Sequence, residues 1–259
     1  MCERNFQEFG GNTTCISIEN NNMIGVLDAG TGIRNLGHDI MQRELAHNFI
    51  TIAFTHFHWD HIQGLPFFEP AYSSDFVINL LALGQGRMVD DLEGVFAGQM
   101  KREYFPIELQ KMGAHFKFML ADKTDLTNFH GATMSTCKLI HPGGCYGYKL
   151  QVEDKTLVIC TDVEHKNGID PGVVEFARGA DILVHDAQYT EDELPKYRGW
   201  GHSSYQQALE VAERSGVERL VMTHHDPAHD DQFLAKMEKL CQDRLKTCVL
   251  AREGMELTF

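Results

Sequence analysis

Residues 55–61 have the sequence THFHWDH and follow an apolar run, FITIAF, at residues 49–54. The apolar run predicts a buried β-strand, so the polar stretch lies in the loop at the end of that strand. The loop offers potential metal ligands, namely His56, His58, Asp60 and His61. Imidazole and carboxylate groups suit Zn²⁺, Mn²⁺ or Fe. The stretch therefore predicts a metal site, in preference to a polar loop that merely contains histidines.

The order of these side chains allows two ions. His56 and His58 are two residues apart and can turn toward one ion if the loop bends back. Asp60 and His61 can then serve a second ion nearby. Paired ions of this kind stabilise both the attacking and the leaving oxygen of a displacement reaction. The stretch is thus compatible with a dinuclear hydrolytic centre.

The composition of the 259-residue chain is that of an ordinary globular protein, with 43% hydrophobic and 23% charged residues. Because no Pro/Gly/Ser-rich linker divides it, we predict a single domain over residues 1–259. No apolar run approaches the roughly 18 residues of a membrane span. The first residues show no signal-peptide pattern, which predicts a cytoplasmic protein. The seven cysteines lack CxxC spacing, which favours reduced thiols over disulfides or a structural zinc cluster.

The formal net charge of −14 limits the classes of partner. Such a charge opposes a broad grip on the nucleic-acid backbone, so we expect no stable nucleic-acid complex. A small anionic substrate stays compatible, since bound metal ions reverse the local field.

The pattern His56-x-His58-x-Asp60-His61 resembles the signature of the metallo-β-lactamase superfamily. The resemblance extends over nearly the whole chain, from about Gly10 to His225. It implies an α/β fold of the four-layer αββα sandwich type. Relatives usually begin with an additional strand, so the first edge strand is expected to be missing here unless Met1 is a late start.

Further strands lead to side chains that match the remaining superfamily ligands in order. Predicted strands at 133–140, 155–160 and 217–223 are followed by His141, Asp162 and His224. The resemblance implies the following ligand sets: His56, His58 and His141 for one ion, Asp60, His61 and His224 for the other, with Asp162 shared. Two divalent ions are expected, with Zn²⁺ favoured and Mn²⁺ or Fe as alternatives.

Asp28 ends a predicted strand at 23–27, which follows a predicted turn at 20–22. In the superfamily the corresponding Asp orients ligands without touching the metal. The competing interpretation is a turn or an N-cap for a helix at 33–36, and the sequence does not decide between the two.

Two later motifs resemble the ribonuclease Z branch of the superfamily. Residues 185–189, HDAQY, resemble its His-Glu-Ala-Thr motif with Asp in place of Glu, and residues 201–204, GHSS, resemble its His-Ser-Thr motif. The resemblance implies that Asp186 orients His202, and that His202 protonates the leaving oxygen. Asp60 is counted with these catalytic residues as well as with the ligands.

The alternative role for His202 is to cap the helix predicted at 205–215. Ser203 or Ser204, with a Gln three residues later, already supplies that cap, which favours the catalytic role. His165, His225 and His229 are not required by the pattern. They are expected on the surface or behind the ligands.

Three segments are predicted around the motifs. Aromatic residues in 63–72 wall the site or, as we favour, pack in the core. Residues 84–109 show helical spacing and predict a helix with a covering loop, which serves as a lid, a dimer surface or, as we favour, simple packing. Residues 115–120 are typical of a hairpin-like region.

The favoured function is a dinuclear phosphodiesterase acting on a small phosphodiester, such as a cyclic nucleotide or another cyclic phosphate. Its nucleophile would be a metal-bridging hydroxide and its general acid His202. Ribonuclease Z enzymes carry an arm that grips tRNA, commonly between the third His and the bridging Asp. Here His141 and Asp162 are joined by little more than a hairpin turning at 153–154, which disfavours tRNA 3′ processing.

Other functions stay open at this stage. The same ions could hydrolyse a thioester or a lactam, which would leave Asp186 and His202 without a role. An iron redox protein would usually have Glu in place of His58, and a nucleotide-binding module without catalysis would not need a complete ligand set. A homodimer is expected because homodimers are common in the superfamily.

Overall fold

The computed structural model describes residues 4–20, 23–123, 125–129 and 131–258. The chain divides into two compact units, which we call the N-terminal unit (residues 12–124) and the C-terminal unit (residues 1–11 with 125–259). Each unit contains one mixed β-sheet together with helices. The predicted α/β class is thereby confirmed, whereas the single domain over residues 1–259 stays a prediction.

The N-terminal unit is built on a five-stranded sheet. Its strands are β1 Ile16–Asn20, β2 Met23–Leu27, β3 Phe49–Ala53, β4 Val77–Leu83 and β5 His115–Ala121, in the spatial order β1-β2-β3-β4-β5. β1 is antiparallel to β2, and the other neighbours are parallel. The helices are α1 Ile33–Gln42, α2 Trp59–Ile62 and α3 Leu92–Gln99. Because parallel strands end at one edge, the loops after β2 and β3 lie side by side.

The apolar runs form the core of this unit. Ile50 and Ile52 of β3 and Ile78 and Leu80 of β4 are fully buried, which is typical of parallel strands covered on both faces. The loop after β2 is joined to the metal-motif loop by backbone hydrogen bonds, since the amide of Ala29 donates to the carbonyl of His61 (2.8 Å).

The C-terminal unit contains a seven-stranded sheet. Its strands are β6 Asp125–Phe129, β7 Ala132–Leu139, β8 Cys145–Val152, β9 Lys155–Cys160, β10 Ile182–Asp186, β11 Arg219–Thr223 and β12 Cys248–Leu250. The order is β12-β11-β10-β9-β8-β7-β6, parallel from β12 to β9 and antiparallel from β9 to β6. The helices are α4 Pro171–Ala177, α5 Tyr205–Ser215 and α6 Asp231–Arg244.

The helix boundaries of this unit follow from local capping. α5 begins after Ser204, whose hydroxyl accepts from the amide of Gln207, while the Gln207 side chain accepts from the amide of Ser204. This capping box is the one predicted, and it leaves no capping role for His202. α5 ends at Gly216, whose left-handed backbone (φ 69°) suits glycine. The predicted hairpin between β8 and β9 is also confirmed.

Two predicted elements differ in the structure. Helical structure in 84–109 is limited to α3 and a short 3-10 turn that begins at Leu109, and Met88 is 82% exposed outside any helix. The reason lies at Arg87, whose guanidinium donates to the carbonyls of Leu83 and Phe54 and holds the chain in a loop. A helix begins only where Asp91 accepts from the amide of Gly94 and caps it.

The region 115–120 does not form a hairpin. It is β5, paired in parallel with β4, so its partner strand comes from before α3. The hairpin of this part of the chain lies between β6 and β7, and β6 was not predicted. Residues 63–72 form two 3-10 turns, Leu65–Phe67 and Glu69–Tyr72, with Phe68 buried and Phe67 exposed.

The predicted turn at 20–22 lies partly outside the described residues. Among the described residues, no helix combines the length and the hydropathy needed to cross a bilayer.

Candidate metal centre

The metal-motif loop of the N-terminal unit gathers three imidazoles. His56 and His61 are buried, and the ring of His56 lies 4.4 Å from the ring of His58 and 4.3 Å from that of His61, measured between centroids. Oδ2 of Asp60 lies 3.2 Å from Nε2 of His61. β3 delivers these side chains at its carboxyl end, and the single turn of α2 places Asp60 and His61 beside each other.

Asp28 contacts this loop through both carboxylate oxygens. Oδ1 accepts from the amide of Thr55 (2.8 Å), and Oδ2 accepts from the Thr55 hydroxyl (2.8 Å) and from Nδ1 of His61 (2.8 Å). α1 begins after Gly32 with no side-chain cap. Of the two roles left open by the sequence, the contacts of Asp28 are those of a residue that orients His61.

These hydrogen bonds fix the tautomers of two histidines. The Thr55 hydroxyl has one proton, which it donates to Asp28. Its oxygen must therefore accept from Nδ1 of His56, 3.0 Å away. Since Nδ1 carries the proton in both His56 and His61, the lone pair of each neutral ring is on Nε2. A carboxylate behind a histidine is the usual way in which a metal ligand is oriented.

Arg87 supports the same loop from the end of β4. Its guanidinium donates to the carbonyl of Thr55 (3.1 Å) and to that of Phe54 (2.8 Å), in addition to Leu83. These carbonyls stand where β3 gives way to the loop, so Arg87 fixes the backbone immediately before His56. Sequence reasoning missed this residue, because a lone Arg in a loop carries no specific signal.

The C-terminal unit brings together side chains from the ends of three strands. His141 follows β7, Asp162 follows β9 and His224 follows β11. Oδ2 of Asp162 lies 3.8 Å from Nε2 of His141 and 3.5 Å from Nε2 of His224. One carboxylate oxygen thus faces two imidazole nitrogens, an arrangement suited to a shared ligand.

Asp186 and His202 form a close pair in this unit. Nδ1 of His202 donates to Oδ2 of Asp186 (2.7 Å), and Oδ1 of Asp186 accepts from the amide of Ser203 (2.8 Å). The ring of His202 stacks on that of His224, with centroids 4.8 Å apart, and is edge-on to His141 at 5.3 Å. His202 is therefore held beside both His141 and His224, with its Nε2 turned away from Asp186.

Three of the candidate side chains stand on a left-handed backbone. Asp28, Asp162 and His224 have φ values of 63°, 56° and 62°. This conformation is uncommon for residues other than glycine and costs of order 1–3 kcal/mol. Each position lies one or two residues after a strand that has a parallel neighbour, where the chain turns sharply at the edge of the sheet.

A buried carboxylate, Glu164, organises the loop that precedes His202. Both of its oxygens accept from the amide of Gly199 (3.0 Å), and Oε2 also accepts from the amide of Gly201 (3.0 Å). The carbonyl of Gly201 in turn accepts from Nδ1 of His141 (2.9 Å). A Cβ on Gly201 would lie 2.1 Å from that same Nδ1, so only glycine fits. Nothing in the sequence points to Glu164 except its place two residues after Asp162.

Four further histidines, all buried or partly buried, do not belong to the candidate ligand clusters. His165 is buried, which excludes a surface position, and stacks on His185 at 5.5 Å. Burial lowers the pKa of His165 to about 3 and also lowers the pKa of His185. His225 lies near the carbonyl of Ala251 (3.2 Å), and burial lowers its pKa to about 4. His229 bonds Glu193 (3.1 Å).

The chemistry of these donors fits divalent metal ions. Each unit presents imidazole nitrogens beside a carboxylate, and His56, His61, His141 and His202 have Nδ1 engaged with an oxygen acceptor. Mixed N/O donor sets of this kind are typical of Zn²⁺ and related ions. Cysteine does not contribute to any of the candidate clusters found among the described residues.

Comparison with known proteins gives one family. The family model described as beta-lactamase superfamily domain matches residues 26–225. Among curated proteins, the chain is similar to ribonuclease BN of Enterobacter sp. (strain 638), with 23% identity over 253 residues and coverage of 80% of each chain. It is also similar to ribonuclease Z of Lactiplantibacillus plantarum, with 24% identity and coverage of 87% of this chain and 84% of the relative.

Solved structures show the same fold. The metallo-beta-lactamase fold protein YhfI from Bacillus subtilis aligns with a TM-score of 0.69 and 16% identity, covering 95% of this chain and 91% of that one. The short form of human tRNase Z aligns with a TM-score of 0.68 and 19% identity, covering 95% and 92%. A diphosphatase from the PhnP family aligns with a TM-score of 0.66 and 20% identity, covering 95% and 84%.

Proposed function

Because the chain belongs to the beta-lactamase superfamily, whose members here include metal-dependent hydrolases, we propose that it hydrolyses a small phosphodiester. The observation that carries the proposal is the Asp186–His202 pair beside His141 and His224 in the C-terminal unit. Thioester hydrolysis makes no use of such a pair, because a thiolate can leave without being protonated. A phosphodiester with an alkoxide leaving group does, because that oxygen must be protonated as it departs.

The proposed ligands are those expected from the sequence. One ion would be held by His56, His58 and His141, and the other by Asp60, His61 and His224, with Asp162 shared. Zn²⁺ is the favoured metal. When bound, such ions provide a strong nucleophile from water at neutral pH and polarise a phosphoryl oxygen.

His202 would supply the proton. Its Nδ1–H donates a hydrogen bond to Asp186, so the proton that the imidazolium can transfer to the leaving oxygen is the one on Nε2. Asp186 itself accepts from the amides of Ser203 and Asp162, which keep its carboxylate in place. The carboxylate therefore orients the ring and stabilises its positive charge until the proton leaves. Asp60, next to His61, is proposed to combine a ligand role with alignment of the attacking water.

A small substrate is supported by the connection between His141 and Asp162. This connection consists of the β8–β9 hairpin alone, and the net charge is −14. A cyclic nucleotide or another cyclic phosphate is the proposed class. RNA 3′ processing is the second candidate, favoured by the similarity to ribonucleases BN and Z.

The test is turnover by protein reconstituted with Zn²⁺ or Mn²⁺ on bis(p-nitrophenyl) phosphate, on a panel of cyclic nucleotides and on a tRNA with a 3′ extension. Asp162→Ala should abolish turnover of every substrate and lower the metal content. Turnover of the tRNA alone would replace the small-substrate proposal with the second candidate. Absence of turnover with metal fully loaded would overturn both.

His202→Ala separates a general acid from a metal ligand. p-Nitrophenolate leaves without a proton, whereas a ribose alkoxide does not. Loss of the general acid should therefore cost roughly 10²–10⁴-fold on a cyclic nucleotide and far less on bis(p-nitrophenyl) phosphate. The metal content should stay at the wild-type value. Equal losses on both substrates together with loss of metal would make His202 a ligand instead.

A further inference from the structure

An exposed tryptophan stands on the loop that Glu164 organises. Trp200 is 61% exposed and lies between Gly199 and Gly201, whose φ values are 89° and 93°. Its own amide donates to the carbonyl of Tyr197 (3.0 Å). The backbone on both sides of the indole is thus fixed, although the side chain is in solvent. A single exposed apolar side chain needs no explanation, so the case depends on what surrounds it.

The indole continues a column of aromatic rings that reaches His202. Trp200 is edge-on to Tyr197 (5.4 Å between centroids), Tyr197 stacks on Tyr189 (4.4 Å, 7° between planes), and Tyr189 is edge-on to His202 (6.1 Å). Tyr189 is buried, and its amide donates to the carbonyl of Ser203. The column therefore has a rigid inner end at the proposed general acid and an exposed outer end at Trp200.

Hydrogen bonds tie the same loop to a proposed ligand. Gly201 receives the Nδ1–H of His141 on its carbonyl and gives its own amide to Glu164. Trp200 cannot move far without disturbing this connection. Preorganised aromatic side chains bind planar groups with little loss of conformational entropy.

Two exposed basic side chains flank the middle ring of this column in the sequence. Lys196 and Arg198 flank Tyr197 and are both exposed, in a protein with a net charge of −14. Three acids precede them, Glu191, Asp192 and Glu193, of which Glu191 accepts from the hydroxyl of Ser204 and Glu193 from that of Thr190. An exposed planar ring with basic side chains nearby in the chain is a surface on which a nucleobase attached to a phosphate can stack.

We infer that Trp200, supported by Tyr197 and Tyr189, is the platform on which a nucleobase of the substrate stacks. The inference rests on the proposed function, because it specifies the phosphodiester as one that bears a base. Trp200 would determine specificity and would not be a catalytic residue. Its removal should weaken binding of the base-bearing ligand and leave the chemistry at the phosphate unchanged.

The test compares two probes that differ only in the base, adenosine 5′-monophosphate and ribose 5-phosphate. Their affinities for zinc-loaded protein are measured by calorimetry for the wild type and for Trp200→Ala and Trp200→Phe. Leu240→Ala, another exposed apolar side chain of this unit, is the control. We expect the nucleotide to bind the wild type about tenfold or more tightly than the sugar phosphate.

That preference should vanish in Trp200→Ala, remain largely in Trp200→Phe and be unchanged in Leu240→Ala. The affinity for ribose 5-phosphate should be the same in all four proteins. Equal binding of the two probes by the wild type, no binding of either, or a preference that survives Trp200→Ala would overturn the inference.

Turnover of bis(p-nitrophenyl) phosphate by the wild-type preparation separates this failure from failure of the proposed function. Turnover without a base preference would overturn the inference about Trp200 and leave the proposed phosphodiesterase function standing. A base preference without turnover would overturn the proposed phosphodiesterase function and support a nucleotide-binding site at Trp200.

Discussion

Asp28 accepts a hydrogen bond from Nδ1 of His61 at 2.8 Å, and neither side chain is exposed to solvent. The same carboxylate oxygen accepts from the Thr55 hydroxyl, which in turn accepts from His56. One carboxylate therefore sets the protonation pattern of two imidazoles from different positions of the motif. Loss of that carboxylate should therefore change the hydrogen bonding of both rings.

We expect Asp28→Asn to lower the affinity for Zn²⁺ by roughly 10–100-fold, the usual cost of losing an outer partner of a ligand. An amide presents a donor toward groups that already donate, so one contact must turn repulsive. Thr55→Val removes the hydroxyl that links Asp28 to His56 but leaves the hydrogen bond between Asp28 and His61, so its effect should be smaller. Affinities are measured by competition with a chromophoric chelator, with the exposed Asp39→Asn as control. Wild-type affinity in Asp28→Asn would contradict the proposed orientation of the ligands.

A matched pair of glycine variants tests the contact between the loop and His141. The added methyl of Gly201→Ala would lie 2.1 Å from Nδ1 of His141, whereas a methyl on Gly199 meets no atom within 4 Å. Both variants carry the strain of a positive φ, of order 1–3 kcal/mol. Only Gly201→Ala should also reduce the bound metal per chain and lower turnover by tenfold or more. Metal analysis and chemical denaturation of both variants provide the measurement, and equal metal contents would refute the close contact.

Arg87→Met should loosen the entry to the metal-motif loop. The substitution keeps the apolar stem and removes the donors to the carbonyls of Phe54, Thr55 and Leu83, each hydrogen bond from a charged group contributing about 1.5–3 kcal/mol. We expect faster hydrogen exchange in residues 54–61 and a lower free energy of unfolding. The exposed Arg34→Met is the control. Unchanged exchange in this segment would show that the guanidinium does not support it.

Acid should destabilise the fold through His165. Burial lowers its pKa from 6.5 to about 3. Between these pH values the unfolded chain therefore binds a proton at this residue and the folded chain does not. The stabilisation is complete above about pH 6.5 and is lost progressively as the pH falls toward 3. The slope contributed by one such histidine is about 1.4 kcal/mol per pH unit.

Urea unfolding between pH 7 and pH 4, with chelator present throughout, measures this slope without protons released by metal binding. His165→Asn keeps an acceptor for the amide of Asp170 and should make the slope shallower by about one proton, while the exposed His115→Asn should not. Parallel slopes for the wild type and His165→Asn would show that another group is responsible.

Much of the candidate site could be predicted because its side chains follow strands. Strand patterns followed within two residues by His or Asp are visible in the sequence at 49–54, 133–140, 155–160 and 217–223, and the structure has strands there. The role of Asp28 could not be decided, since an Asp at the end of a strand suits a cap and a ligand support equally. Glu164 and Arg87 were missed because their partners are backbone groups far away in sequence, which leave no pattern.

The errors have physical causes as well. In 84–109 a helix and a loop are both present, but the helix α3 is shorter than the spacing of the apolar residues indicated. Arg87 donates to the carbonyls of Leu83 and Phe54 and keeps the first part of the segment in a loop. The predicted hairpin at 115–120 was wrong, because β5 pairs in parallel with β4. The paired residues Val77 and His115 are 38 positions apart in the sequence, and such a distant partner leaves no local pattern. The homodimer and the cytoplasmic location stay predictions.

The loop between Tyr197 and His202 contains positions at which the backbone restricts the side chain and one position, residue 200, at which it does not. Gly201 is required because a Cβ would meet His141, and Gly199 is favoured by its φ of 89°, so these positions admit little substitution. The side chain between them meets solvent over most of its surface and bears no part of the backbone geometry. Mutations at residue 200 should therefore change the free energy of unfolding little. Natural drift or directed evolution can alter ligand binding at this position while the residues of the candidate metal centre stay the same.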